Sequence, residues 1–166
     1  MAGTANGGQP VSTLRVQARV VDPAGSLRTD ATTGSGFTIV LHTADAAHRA
    51  GASPREAVLV GLAGCTAMDV ASILAKKRQV PQRYEIAVTA EVAGTPPHVF
   101  TGIVVEHQVT GAVEPAAIGR AVELSATRYC PVTRMLSHAV RIEHRYRLQR
   151  PGMPQELALV AVTGPP

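Results

Sequence analysis

The two cysteines of this 166-residue chain, Cys65 and Cys130, are its best candidates for reactive groups. Cys65 lies in the run Gly-Leu-Ala-Gly-Cys-Thr-Ala-Met-Asp-Val, in the middle of a long apolar segment. Cys130 precedes Pro131, and proline favours the first position of a helix, so Cys130 is predicted to be the N-cap of that helix. Amide groups at a helix start lower the pKa of a thiol. If the fold brings the two sulfur atoms together, the pair could form and break a disulfide.

Each cysteine also has a purely structural interpretation, since a reduced cysteine is often a small buried residue at a helix contact. The chain has no Cys-X-X-Cys motif, which excludes a thioredoxin-type dithiol. Two cysteines cannot supply a four-thiolate zinc site, and the six histidines show no metal-ligand spacing with them. We therefore expect no metal.

The composition limits the class of protein. With 45% hydrophobic residues the chain can fold as one domain, and with 3% aromatic residues its core must be built from small aliphatic side chains. The net charge of +4 indicates a mildly basic surface, and the few aromatics argue against nucleic-acid binding. Residues 1–11 are predicted to be a mobile tail without a secretory signal, so we expect a cytoplasmic protein with reduced thiols.

Alternating apolar residues predict strands within 12–20, 26–30 and 36–42, which would form an antiparallel N-terminal sheet. Two further strands, 84–92 and 99–109, are predicted to pair as a hairpin. Helical spacing over 115–126, a short helix over 131–139 and a strand over 140–148 follow, and residues 149–166 read as a C-terminal tail. This order predicts an α+β fold with a single domain over 12–148.

The longest predicted element is a helix that begins at Ser53-Pro54-Arg55-Glu56, where Ser53 and Glu56 can form a capping box. An apolar run from Ala57 to Ala75 follows and is nearly apolar all round, which is typical of a buried or a membrane-spanning helix. Asp69 and the many small residues favour burial over a membrane span. A symmetric partner subunit would supply the missing cover.

Taken together, the two cysteine neighbourhoods resemble the OsmC/Ohr family, the osmotically inducible protein C and organic hydroperoxide resistance proteins. The resemblance rests on Ser-Pro-Arg-Glu, the Cys65 run with Lys-Lys-Arg-Gln after it, and Arg-Tyr-Cys-Pro-Val around Cys130. It covers roughly residues 14–148 in the same order. Both motifs look more like the general OsmC-like branch than the Ohr branch.

The resemblance implies an intertwined homodimer, with antiparallel sheets outside and two long helices crossing at the centre. It also implies a thiol peroxidase that reduces organic hydroperoxides. Cys65 would be the peroxidatic thiolate, and Cys130 would resolve its sulfenic acid to a disulfide. An external thiol, possibly a dihydrolipoyl group, would restore both thiols, and neither a metal nor a bound organic cofactor would be needed.

In the Ohr branch, an arginine from the N-terminal hairpin, held by a glutamate near the start of the long helix, activates the thiol. Arg28 and Glu56 are the matching residues here, with Arg15 a poorer candidate because it precedes the turn. Nine residues of straight helix place Cys65 about 13 Å along the axis from Glu56 and on the opposite side of the helix, so Glu56 cannot touch it directly. We expect a bend near Gly61, or an indirect contact through the arginine or across the dimer.

Two other residues have open roles. Arg128 could serve Cys130 instead. Asp69, one turn after Cys65, would raise the thiol pKa if it faced it, or would bond a neighbouring backbone or cap a polar pocket. Two alternatives to a peroxidase also stay open: a thiol-redox sensor or apolar-ligand-binding dimer of the same fold, and a structural dimer with inert thiols.

Overall fold

The structure is a computed structural model that describes residues 12–21, 23–25, 27–43 and 50–166. The predicted N-terminal tail, residues 1–11, lies outside the described residues. The chain forms two compact units that divide between Ala57 and Val58, inside the long helix. The prediction of a single domain over 12–148 stays a prediction.

The first unit contains a three-stranded sheet of β1 (Val16–Val20), β2 (Thr29–Thr33) and β3 (Thr38–Leu41). The strand order is β1-β2-β3, and both pairs are antiparallel. This confirms the predicted N-terminal antiparallel sheet. The turn between β2 and β3 uses Gly36 at φ 90°, a left-handed conformation that glycine adopts without a steric penalty.

The long helix, α1, runs from Pro54 to Lys76. Its start is the predicted capping box: the Glu56 N–H donates to Ser53 Oγ (3.2 Å), and the Ser53 N–H donates to Glu56 Oε2 (2.7 Å). The buried residues of α1 are four apart and therefore lie on one side of the helix: Leu62, Thr66, Val70 and Leu74. By length and composition, α1 is the one helix in the described part of the chain that could also cross a membrane.

The elements of the second unit after α1 are β4 (Arg83–Val92), β5 (Phe100–Thr110), α2 (Pro115–Leu124), a π-helical turn (Ser125–Tyr129), α3 (Pro131–Leu136), β6 (Ile142–Gln149) and β7 (Glu156–Thr163). Its strands form one sheet in the order β4-β5-β6-β7. β4 and β5 pair antiparallel, which confirms the predicted hairpin. Three helical segments, α2, a π-helical turn and α3, link β5 to β6.

One pair of strands departs from the antiparallel pairing that the resemblance implies. β5 and β6 run parallel, with Ile103 opposite Ile142 at one end and Thr110 opposite Gln149 at the other. Parallel neighbours need a long crossover rather than a tight turn, and the three helical segments between them provide it. The α+β class itself is confirmed.

The predicted C-terminal tail over 149–166 is also wrong. Gln149 ends β6, and Glu156–Thr163 forms β7, which pairs antiparallel with β6. Ala158 and Val160 of β7 pack against the apolar core, and this burial explains why the segment is ordered as a strand.

A second part of the core surrounds the cysteines. Leu62 of α1, Ile103 and Val105 of β5 and Ile142 of β6 are fully or almost fully buried in one cluster that also contains Cys130. As the composition predicted, these packing residues are aliphatic. The polar groups near the two cysteines therefore lie in a surrounding of low dielectric.

Candidate dithiol site

The fold brings the two cysteines together. Cys65 and Asp69 are four residues apart on α1 and therefore share one face of the helix. The Cys65 sulfur, the Cys130 sulfur and a carboxylate oxygen of Asp69 lie within 4.8 Å of one another. Both thiols are reduced; Cys65 is half-buried and Cys130 is buried. A disulfide bond of about 2.05 Å would need the sulfurs to approach by less than about 3 Å.

Cys130 is the N-cap of α3, as predicted. Its backbone is extended (φ −72°, ψ 107°), and its sulfur accepts a hydrogen bond from the Thr133 N–H at 3.3 Å. The π turn just before it was not predicted. There the Cys130 N–H donates to the Ser125 carbonyl, five residues back, at 3.0 Å. Such π turns are rare and frequently occur at functional sites.

Asp69 bonds to the element that carries Cys130. The Ser125 hydroxyl donates to Asp69 Oδ2 at 3.0 Å, and Ser125 is almost completely buried. Burying a carboxylate in an apolar core is costly unless it gains such partners. The bond links α1 to the start of the π turn, so Asp69 helps to position both sulfur atoms.

The surroundings disfavour the charged form of Cys65. Burial is the largest cause that raises its pKa to about 11, and a hydrogen bond with Cys130 acts in the same direction. A hydrogen bond from the Val132 N–H lowers the pKa of Cys65, while the charges of Cys130 and Asp69 raise it further. Asp69 thus has the effect expected of a carboxylate facing the thiol. Within residues 58–166, all of them described, the charges acting on Cys65 are negative.

A buried pair of histidines, His107 in β5 and His144 in β6, was not predicted from the sequence, where histidines were considered only as metal ligands. Tyr84 Oη and His107 Nδ1 are 2.7 Å apart, and His144 Nε2 lies 3.3 Å from Thr163 Oγ1. Burial lowers the pKa of His107 to about 3, helped by the charge of His144, and burial lowers the pKa of His144 to about 4. Alternation along β5 and β6 is the signal that could have placed them inside.

These histidines predict acid sensitivity of the fold. Each has a pKa of about 6.5 when unfolded and a lower pKa when folded. Their neutral forms therefore stabilise the fold fully above pH 6.5, and stability falls as the pH drops toward 4. The loss is up to about 1.4 kcal/mol per pH unit for each histidine. Urea unfolding at several pH values between about 7 and 4.5 measures it.

A matched pair of variants separates the effect of a buried histidine on stability from the effect of the carboxylates. When the wild type unfolds in acid, His107 takes up a proton, and the His107→Gln variant cannot do so. The stability of this variant should therefore depend less steeply on pH than that of the wild type. The exposed residue His138 is the control, and His138→Gln should leave the slope unchanged. Equal slopes for wild type and His107→Gln would contradict the predicted role of burial.

The other two predicted site residues, Arg28 and Glu56, lie in the first unit. Arg28 forms a two-point ion pair with Asp30, through Nε (2.9 Å) and Nη2 (3.3 Å). The carboxylate of Glu56 takes part in the capping box with Ser53. The sequence did not suggest Asp30 as a partner. Activation of Cys65 by Arg28 and Glu56 stays a prediction.

A long helix that carries one of two neighbouring reduced cysteines, packed on a mixed sheet, defines this chain as an α+β protein with a dithiol site. A family profile described as OsmC-like protein matches residues 45–145, more than half of the chain. The chain therefore belongs to the OsmC-like family.

Individual comparisons agree with this membership. Protein YhfA of Escherichia coli K12 is 45% identical over 97 residues, which are 58% of this chain and 72% of YhfA. A hypothetical protein from Aquifex aeolicus has a similar fold, with a TM-score of 0.74 and 24% identity over 84% of this chain and 98% of its own. An organic hydroperoxide resistance protein OsmC from Legionella pneumophila gives a TM-score of 0.60 at 15% identity, over 85% and 99%.

Proposed function

We propose that this protein is a thiol-dependent peroxidase that reduces organic hydroperoxides to alcohols. The observation that carries the proposal is the placement of two reduced thiols within 4.8 Å, one half-buried and the other buried. The half-buried sulfur, Cys65, is the one that a substrate can reach. Family membership supports the proposal, since some members are named organic hydroperoxide resistance proteins.

The reaction balances with these two residues and an external thiol. The Cys65 thiolate attacks the terminal, hydroxyl oxygen of the peroxide, so that an S–O bond forms, the O–O bond breaks and the alkoxide leaves as the alcohol after protonation by solvent. The sulfenic acid on Cys65 then condenses with the Cys130 thiol, which forms the disulfide and releases water. An external dithiol, for example a dihydrolipoyl group, reduces the disulfide by exchange and is itself oxidised.

The surroundings of the thiols favour an organic peroxide over hydrogen peroxide. Partly buried apolar side chains that pack against the cluster containing Cys130 include Leu59, Val132 and Leu136. An aromatic or alkyl group would gain about 25 cal/mol for each Å² removed from water at such a surface, whereas hydrogen peroxide has no apolar group. We also propose that the protein acts as a homodimer in the cytoplasm, where thiols stay reduced.

One observation favours a second function. Because the pKa of Cys65 is raised to about 11, the thiol would react slowly unless a cation acts on it. A weakly reactive thiol pair suits a dimer that binds a small apolar ligand without chemistry. It suits a redox sensor only if a cation lowers the pKa of Cys65, because redox-sensor cysteines have low pKa values. We rank the peroxidase first because the two sulfurs are close enough to form a disulfide after a small movement.

Turnover of cumene hydroperoxide and of hydrogen peroxide, with dihydrolipoamide as reductant, tests the proposal. We expect kcat/KM to be at least about tenfold higher for cumene hydroperoxide, since burying part of its ring supplies about 1.4 kcal/mol or more. Disulfide formation without turnover would contradict the peroxidase and support the sensor. If neither turnover nor disulfide formation is observed, the peroxidase and the sensor are both contradicted. The ligand-binding dimer or the structural dimer is then left.

A further inference from the structure

The dithiol site also has the donor set of a transition-metal site. Two thiol sulfurs and a carboxylate oxygen converge within 4.8 Å, from Cys65, Cys130 and Asp69. Thiolates and carboxylates are ligands that zinc takes in proteins, and a site with three protein ligands keeps a fourth position open. We propose that the reduced protein binds one zinc-like divalent cation through these three side chains, with the fourth position open to water or a small ligand.

The distances suit this coordination after a small contraction. Zn–S bonds of about 2.3 Å and Zn–O bonds of about 2.1 Å place tetrahedral ligand atoms about 3.5 to 3.8 Å apart. The three atoms here are at most 4.8 Å apart, so each must move by about 1 Å or less. Two of them come from one face of a regular helix, which holds their spacing. This mixed donor set is not visible in the sequence, because Cys130 lies far along the chain from Cys65 and Asp69.

Neighbouring groups already hold the ligands in place. The Ser125 hydroxyl donates to Asp69 Oδ2, which leaves Oδ1 for a cation, and the Thr133 N–H donates to the Cys130 sulfur. Hydrogen bonds of this kind orient metal ligands and strengthen binding. Cys65 and Asp69 are half-buried, so a cation can reach them from solvent, while Cys130 closes the site on the buried side.

Binding needs no oxidant or reductant. Two S–H bonds are replaced by two S–metal bonds, and two protons go to solvent. The disulfide form has lost both thiolates and would not bind. This inference does not rest on the proposed peroxidase, although a bound cation would occupy the sulfur electron pairs and slow any attack on a peroxide. Metal binding and peroxide turnover can thus fail independently.

Cobalt provides the direct test, since Co²⁺ takes the place of Zn²⁺ and is coloured. The full chain is reduced, treated with a chelator, freed of both reagents and titrated with Co²⁺ without air. We expect about one ion per chain, a thiolate-to-cobalt charge-transfer band in the near ultraviolet, and strong visible bands of tetrahedral cobalt that Zn²⁺ abolishes. Absence of the charge-transfer band in the reduced protein, or its presence in the disulfide form, would overturn the proposal.

Variants assign the ligands. Cys65→Ser and Cys130→Ser should each remove about half of the charge-transfer intensity. Asp69→Asn should keep the band but weaken Co²⁺ binding at least about tenfold. Glu143 pairs with Arg141 and is the matched control, so Glu143→Gln should bind as tightly as the wild type. An unchanged affinity in Asp69→Asn would remove Asp69 from the site, and unchanged bands in both cysteine variants would show adventitious binding only.

Discussion

Cys65→Ser is expected to abolish hydroperoxide turnover, with a fall in kcat/KM of at least about 10³-fold, to the rate of the reductant and peroxide alone. The hydroxyl of serine is not ionised at neutral pH and is a far weaker nucleophile than a thiolate. The side chain differs by one atom and is half-buried, so the fold should persist. Steady-state turnover with cumene hydroperoxide, on chelator-treated protein, measures the change.

Cys130→Ser is the matched control, because it makes the same replacement at the other sulfur. In the proposed mechanism this variant still attacks the peroxide but cannot form the intramolecular disulfide, so a sulfenic acid should accumulate on Cys65 and react with dimedone. Dimedone labelling of the wild type should be weaker, since Cys130 competes for the sulfenic acid. Turnover that survives in Cys65→Ser, or a sulfenic acid on Cys130 in that variant, would contradict the assigned roles.

The parts of this structure that the sequence predicts well depend on neighbours along the chain. The capping box of Ser53 and Glu56 and the N-cap position of Cys130 each involve atoms three residues apart. Strand alternation in β4 and β5, with a Gly-Thr-Pro-Pro break between them, predicts a hairpin for the same reason. In all three cases the local sequence contains both interacting partners.

The errors concern pairings that join distant segments. The prolines on either side of β7, Pro151 and Pro154 before it and Pro165 and Pro166 after it, make this segment look like a tail in the sequence. It is ordered by pairing with β6 and by packing of Ala158 and Val160. The parallel pairing of β5 with β6 likewise depends on a crossover, whose direction no local pattern encodes.

The site itself falls between these two cases. Its cysteines were identified from their local motifs, but the motifs alone could not place the sulfurs within 4.8 Å. The Ser125–Asp69 hydrogen bond joins residues 56 positions apart, and the π turn that ends at Tyr129 has no evident sequence signal. The raised pKa of Cys65 depends on its three-dimensional burial, so the local motif alone does not predict the activation of this thiol.

Arg28→Ala tests that activation directly. A cation within about 4 to 6 Å lowers a thiol pKa by about 1 to 3 units, so removing it should raise the pKa of Cys65 by the same amount, toward about 11. The thiolate is present above this pKa and is lost as the pH falls through it. At neutral pH the reactive fraction, and with it kcat/KM, should therefore fall by about 10- to 10³-fold.

The pH dependence of iodoacetamide labelling, on chelator-treated reduced protein, measures this pKa. Trypsin separates the two cysteines, because cleavage after Arg55 and Lys76 leaves Cys65 in the peptide 56–76, while Cys130 lies in 129–134. Arg15→Ala is the matched control and should label as the wild type does. If wild type and Arg28→Ala share one midpoint near pH 11, Arg28 does not activate Cys65. A dimer that binds a small apolar ligand without chemistry then becomes the better explanation. A midpoint that moves upward in Arg28→Ala alone would assign the activating cation to Arg28, because burial and Asp69 act on Cys65 equally in all three proteins.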